Sequence, residues 1–363
     1  MSQPVQHPPN TAHKPTASFL LAEQERRKKR LTGMLSQDLP TLPNYVLDLN
    51  ALLSSQTVDL KKVSKVIRTD PSLSAQVLRL CNSALFGLRR RVINIEQAAV
   101  LLGTERLRTL VLTCSLMQFA GKRLPSAQLM TYWQHSFLTA LLSERIARQV
   151  DYFEKEQAYL CGLLHDIGQL PLSILVLEEE SKNRRLPPPG WLDNILMERD
   201  YFEMDHCKVG RWMAVAWNFM PSYVDVFEHH HAPERASHDP HLVGIVAAAD
   251  QFLMTQVIPD PSAASKVTPQ DAAGAEAAAA EAPTTENEAE AASEAAASPA
   301  AEPEEPTFLQ TCLPRLNEEE RQAVLELLQT EYIHLLPLVQ IGLANADSAG
   351  EEVKAIAPPT IRG

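Results

Sequence analysis

Histidine and aspartate recur in this 363-residue chain where imidazole and carboxylate could share a metal ion. The positions are His135, the pair His165-Asp166, His206, the pair His230-His231, and Asp250. Imidazole with carboxylate suits Zn, Mn, Fe or Ni. Two such ions side by side would generate hydroxide for in-line attack on a phosphoester. Taken singly, each residue has an ordinary explanation. A lone helical histidine is more often a core or surface residue. His229 to His231 could be a solvated helix end favoured by the helix dipole. Asp250 could cap a neighbouring helix or pair with an arginine. The order and spacing are what raise the cluster above these readings.

The elements that must position these residues read as helices throughout. Trp133 to Val150 carries Phe137, Leu138, Leu141, Leu142 and Ile146 inward, with His135 at the edge of that face. A helix from about Glu154 brings Ala158, Cys161 and His165 onto one stripe, and Gly168 stops it. Adjacent residues on a helix point about 100° apart, so His165 and Asp166 converge only near a helix end or in a packed groove. Trp191 to Tyr201 is a short helix. Asp205 starts the next one, with His206, Val209, Met213 and Ala216 on its inward face. Pro221 opens a helix ending at His229 to His231, and Pro233 prevents its continuation. From Leu242 to Met254, Val243, Ala247, Asp250 and Met254 share an apolar stripe, which points Asp250 into the protein.

Upstream, Asp59, Asp70-Pro71 and Asn94 are helix-start signals, and Gly103 is a stop. The lobe from 35 to 124 reads as a packed helical bundle without catalytic residues. The expected fold is therefore all-α: a two-lobed helical bundle spanning 35–257, with lobes 35–124 and 125–257. Residues 1–34 form a disordered, basic N-terminal arm in this reading. Its cluster from Arg26 to Arg30 is either a solvated helix face or a contact for a membrane surface or nucleic acid. An Ala/Glu/Pro linker, 258–306, separates the bundle from a detached helical segment at 307–346, and 347–363 reads as a disordered tail. Asn317 followed by three glutamates starts the detached segment, which should dock back on the domain or on a partner.

The net charge of −12 misleads, because ten acidic groups lie between 267 and 306 with no Lys or Arg among them. The remainder is close to neutral, so composition argues neither for nor against a nucleic-acid partner. No apolar run approaches the ~18–20 residues of a membrane span, and Met1 to Ser18 lacks a signal-peptide pattern. A cytoplasmic protein is expected. Five scattered cysteines without a CxxC fit buried thiols better than a disulfide framework or a Cys-type zinc site.

The order of His, His-Asp, His, His-His and Asp resembles the HD superfamily of helical metal-dependent phosphohydrolases. The closer resemblance is to one branch, the HDOD (HD-related output) domain, over about residues 35–257. Its N-lobe signature is similar to Asp70-Pro71-Ser72-Leu73, to Leu78 through Gly87, to Ile95-Glu96-Gln97-Ala98 and to Leu102-Gly103. Its C-lobe signature is similar to His165-Asp166-Ile167-Gly168, Asp205-His206 with Val209-Gly210 and Trp217, and His230-His231-Ala232-Pro233.

The resemblance implies a bacterial signal-transduction module, non-catalytic, that acts on signalling proteins through protein–protein contact. It also implies that His135, His165, Asp166, His206, His230, His231 and Asp250 match the superfamily's metal-ligand pattern. No cofactor is certain; a divalent ion (Fe, Mn, Zn or Ni) is the one the residues suit. The alternative is a metal-dependent phosphohydrolase acting on a nucleotide such as a cyclic dinucleotide. Two departures from the HD-GYP pattern count against it. Gln169 stands where that family has Lys, and no Gly-Tyr-Pro follows His230-His231. Loss of that cation weakens stabilisation of a phosphoryl transition state.

Overall fold

The computed structural model describes residues 17–37, 60–256 apart from six positions between 84 and 193, and 308–355. The described residues form helices and turns, with no strand among them. The segment 39–59, the linker 258–306 and the end of the tail lie outside the described residues, in whole or in large part.

The N-terminal lobe holds α2 (Leu60–Ile67), α3 (Pro71–Cys81), α4 (Ile95–Leu102) and α5 (Thr104–Gly121). Two of its starts are capped as the sequence predicts. Asp70 accepts the amide of Leu73, and Asn94 accepts that of Gln97. Each cap satisfies an amide that the first helical turn leaves without a partner. Asn82 closes the loop between α3 and α4: its amide nitrogen donates to Val92 O (2.8 Å) and its oxygen accepts from Val92 N (2.7 Å). Val63, Ile67, Leu73, Val77, Ala98 and Leu107, each fully buried, fill the space between these helices.

The second lobe is built around α6 (Ser126–Gln149), followed by α7 (Lys155–Leu164), α8 (Gln169–Ser181), α9 (Ile195–Phe202), α10 (His206–Ala216), α11 (Pro221–His229) and α12 (Pro240–Met254). Three of these starts differ from the periodicity reading. α6 begins at Ser126, two turns before Trp133, and buries Leu129 and Tyr132 as well. α9 begins after Asn194, whose side chain accepts the Met197 amide. α12 begins after Asp239, which caps Leu242 and also accepts the Tyr152 hydroxyl at 2.7 Å.

The stretch Lys155–Ser181, which joins α7 and α8, contains a window apolar and long enough to cross a membrane, contrary to the expectation that no run comes near that length. It is 89% buried inside the domain, and its centre is the turn carrying His165 and Asp166. A buried core helix satisfies the same hydropathy test as a span.

The N-terminal arm needs correction. Residues 17–37 form one helix, α1 (Ala17–Gln37), packed on α8 and α9 with Leu31, Met34 and Leu35 buried. Its cations face acids more than 140 residues away in sequence. Arg26 pairs with buried Glu179, Lys28 with Glu203 (2.5 Å) and Arg30 with Glu178 (2.9 Å). Arg27 donates to Tyr201 O (2.9 Å) and stacks on that ring. These contacts engage four of the five cations from Arg26 to Arg30, while Lys29 stays exposed.

The C-terminal segment docks back on the domain. α13 (Phe308–Cys312) lies on α12, so close that a Cβ on Gly244 would sit 1.9 Å from Cys312 O. α14 (Glu318–Ala355) opens with a reciprocal cap between Asn317 and Glu320 and runs beyond residue 346, where the periodicity ends. Its stripe of Val324, Leu328, Leu335, Val339 and Leu343 is buried where α14 crosses α6 and α3.

Candidate metal centre

The turn between α7 and α8 brings the first donors together. α7 ends at Leu164, and His165 and Asp166 follow in the turn rather than within a regular helix. Gly168 permits this arrangement: a Cβ there would lie 2.0 Å from His206 O and 2.7 Å from Gly210 N. Only glycine lets the first turn of α10 come this near, and that approach aims His206 at Asp166. Asp205 caps α10 through the Lys208 amide. His230 follows the last residue of α11, and His231 the next; α12 supplies Asp250 and α6 supplies His135.

The structure brings all seven expected residues into one cluster with two halves. In the first half, His135 Nε2 lies 3.3 Å from His165 Nε2, 3.1 Å from Asp250 Oδ1 and 3.5 Å from Asp166 Oδ2. His165 Nε2 is 3.2 Å from Asp166 Oδ2. In the second half, His206 Nε2 is 3.3 Å from His230 Nε2 and 3.1 Å from His231 Nε2. Asp166 Oδ1 lies 3.4 Å from both His206 and His230. Asp166 therefore presents one oxygen to each half. His229 turns away, with Nε2 3.9 Å from Asp225 and from Glu228.

The outer hydrogen bonds fix which ring nitrogens face inward. His165 Nδ1 donates to Gly162 O (2.8 Å), His230 Nδ1 to Val226 O (3.1 Å), and His206 Nδ1 to Glu198 (2.8 Å). Each neutral ring then directs an Nε2 lone pair at the cluster. His206 and His230 place two such lone pairs 3.3 Å apart, which is repulsive unless a cation stands between them. Asp166 Oδ1 and Asp250 Oδ2 are buried without a hydrogen-bond partner, a costly condition for carboxylates.

Electrostatics agree. Burial alone would discharge His165, but Asp166 and Asp250 outweigh it and hold its pKa well above the usual imidazole value. Burial likewise opposes charge on His206, where Cys207, Glu198 and Asp166 prevail. His230 rises to about 9 through Cys207 and Asp166 despite burial. His231 falls to about 3, driven by burial and by His230. Burial would raise Asp166 and Asp250, yet the surrounding imidazoles hold both well below the carboxylate range. The cluster is a pocket of negative potential that takes up positive charge, as protons or as metal.

The donors fit divalent ions. Metal–nitrogen and metal–oxygen bonds of ~2.0–2.2 Å in a tetrahedron put neighbouring donors about 3.3 Å apart, and the separations above run from 3.1 to 3.5 Å. Two residues escape the sequence reading. Glu198 is fully buried and accepts both the Nδ1–H and the backbone N–H of His206. It lies on the stripe Ile195-Glu198-Tyr201, so an acid on a half-apolar face was its signal. Cys207, expected as an inert core thiol, stands 3.5 Å from His206 Nε2 and 3.9 Å from His230 Nε2.

Residues 39–233 match the HDOD domain family. The chain belongs to the HDOD domain family. The match ends before Asp250, which nevertheless completes the cluster from α12. A Treponema pallidum protein without assigned function is 26% identical over 226 residues, which is 60% of this chain and 42% of that one. YuxH of Bacillus subtilis, also without assigned function, is 27% identical over 154 residues, 42% of this chain and 36% of YuxH. The chain thus spans about two fifths of the length of these curated relatives. Among solved structures, an HDOD domain protein of unknown function from Geobacter sulfurreducens superposes with a TM-score of 0.56 at 20% identity, covering 88% of this chain and 98% of its own. A Shewanella amazonensis SB2B protein whose name proposes a phosphohydrolase gives 0.54 at 22% identity, covering 86% and 96%. A Marinobacter aquaeolei VT8 protein whose name proposes signal transduction gives 0.59 at 16% identity, covering 91% and 66%. At these identities the structural likeness establishes the HDOD fold.

Proposed function

We propose that this HDOD protein is a regulatory module of bacterial signal transduction whose His/Asp cluster holds divalent metal without turning over a phosphoester. The observation that carries this reading is the closure of the cluster. His165, His206 and His230 are fully buried, Asp166 and Asp250 nearly so, and only the edges of His135 and His231 reach solvent, at 18% and 19% of their side chains. A phosphodiester needs an open coordination position and room beside it; these donors leave little of either. Gln169, buried at the start of α8, supplies no cation where the related phosphodiesterases are expected to have one.

His135, His165, Asp250 and one Asp166 oxygen would hold one ion; His206, His230, His231 and the other Asp166 oxygen would hold the second. When bound, the ions would supply Lewis acidity and a charge that cancels the inward lone pairs. Glu198 orients His206 and fixes its tautomer, as outer-sphere carboxylates do. α13 and α14 pack on α12 and α6, the helices that carry Asp250 and His135. Metal state and docking of the C-terminal segment therefore share a mechanical link, which a signalling module could use. The N-terminal lobe leaves Ile93, Val100 and Leu101 exposed at and just before α4, a surface suited to a signalling protein.

One observation favours a phosphohydrolase instead: a carboxylate shared between two donor sets is the arrangement a two-metal hydrolase needs. The two readings separate by assaying tag-free protein, supplied with Mn or Fe, on cyclic di-GMP and a generic phosphodiester. The regulatory reading expects no turnover. Hydrolysis that disappears in His165→Ala and Asp166→Ala overturns it.

A further inference from the structure

We propose that Cys207 is a metal ligand, so that the two halves of the centre differ in chemistry and take different ions. The inference rests on the metal-centre reading above and assigns a residue that the His/Asp pattern does not include. Cys207 occupies the first turn of α10, beside His206, and is 5% exposed. On a regular helix face, neighbouring side chains diverge by about 100°. At a helix start that projects into a gap, both can reach one point, and the close approach at Gly168 places this start against the cluster.

The distances are those of a thiolate site. A metal–sulfur bond of ~2.3 Å and a metal–nitrogen bond of ~2.05 Å in a tetrahedron separate sulfur from nitrogen by about 3.6 Å. Cys207 Sγ lies 3.5 Å from His206 Nε2 and 3.9 Å from His230 Nε2. His206, Cys207, His230 and His231 each offer a donor atom within 4.8 Å of all the others. The other four cysteines are buried and belong to neither donor group.

The first half, His135, His165, Asp166 and Asp250, offers nitrogen and oxygen alone. The second adds sulfur. Thiolate favours zinc and ferrous iron, whereas carboxylate-rich sites accept manganese. The second half thus selects the softer ion, and the first accepts a harder one. Three imidazoles and a thiolate already supply the four donors of a closed tetrahedral site, and the nearby Asp166 oxygen leaves no position open for substrate. Coordination of Cys207 releases the thiol proton to solvent and forms the metal–sulfur bond, with no change of oxidation state.

The test is the absorption spectrum of the full-length, reduced, metal-free protein titrated with Co(II). The expected result is a thiolate-to-cobalt charge-transfer band in the near ultraviolet that grows to one equivalent per chain and is absent in Cys207→Ser. In competition, Cys207→Ser should weaken zinc at one site by more than the ~10–100-fold that loss of an outer-shell partner costs, leaving the other site unchanged. Cobalt uptake without the band, or a band that persists in Cys207→Ser, overturns the ligand assignment and leaves the metal centre standing. No cobalt uptake at all overturns the centre and this inference together. The spectrum of the intact protein decides the first question without any variant, so a Cys207→Ser chain that fails to fold does not shield the proposal.

Discussion

Replacing Gly168 with alanine tests the contact on which the whole cluster depends. The added Cβ would lie 2.0 Å from His206 O and 2.7 Å from Gly210 N. A carbon and a carbonyl oxygen rest at about 3.3–3.6 Å, so the two backbones must part by roughly 1 Å or more. The obstructing atoms belong to the backbone of α10, and no rotamer change relieves them. Overpacking of this kind costs ~1–3 kcal/mol. For a domain of this size each kcal/mol is worth roughly 2–4 °C, so the melting temperature should fall by about 2–12 °C. The same displacement carries His206 and Cys207 away from Asp166, whose oxygen is 3.4 Å from His206 Nε2. Sites of this type tolerate only ~0.5 Å, so metal affinity should drop by more than about tenfold. Thermal melts and calorimetric metal titration of tag-free protein read both effects. Unchanged melting and unchanged affinity would show that the approach of α8 to α10 does not set the site.

Other expected outcomes follow from the same geometry. Glu198→Gln, which keeps the shape but removes the charge facing His206 Nδ1, should lower metal affinity ~10–100-fold with little change in helix content by circular dichroism. His165 and His206 are held charged well above 6.5 in the metal-free fold. Their stabilising contribution is complete below pH 6.5 and is lost as the pH rises through the raised values. The metal-free protein should therefore weaken above pH 6.5, while metal binds more tightly there and releases protons; calorimetry at several pH values checks both signs. Ending the chain at residue 256 uncovers the surfaces that Val324, Leu328, Leu335, Val339 and Leu343 bury, each worth roughly 1.5–3 kcal/mol. That truncation should bind a hydrophobic dye or aggregate, whereas replacing 258–306 by a Gly/Ser linker of equal length should leave the melting temperature unchanged.

The sequence showed the centre more clearly than its surroundings, for a physical reason. His206 and Asp250 each stand on an otherwise apolar helical stripe, and an ionisable group there is costly enough that its presence needs a partner. The helical fold and the caps at Asp70, Asn94 and Asp205 were legible because those signals act within a turn of their own residues. What was hidden depends on distant partners. The cations of α1 read as a solvated run because Glu178, Glu179 and Glu203 lie far along the chain. Cys207 read as core because a buried thiol and a metal thiolate leave the same hydropathy pattern. The place where α14 docks was hidden because α6 is buried on so many sides that its periodicity names no single neighbour.

The measurement closest to the central claim is the metal content of the full-length protein, purified without a His tag and analysed per chain. Two divalent ions in the intact protein, and loss of both in Asp166→Ala because that carboxylate serves each half, is the result predicted here. A protein that carries no ion after incubation with Zn, Mn or Fe contradicts it, and would leave the seven residues as a hydrogen-bonded core held together by protons.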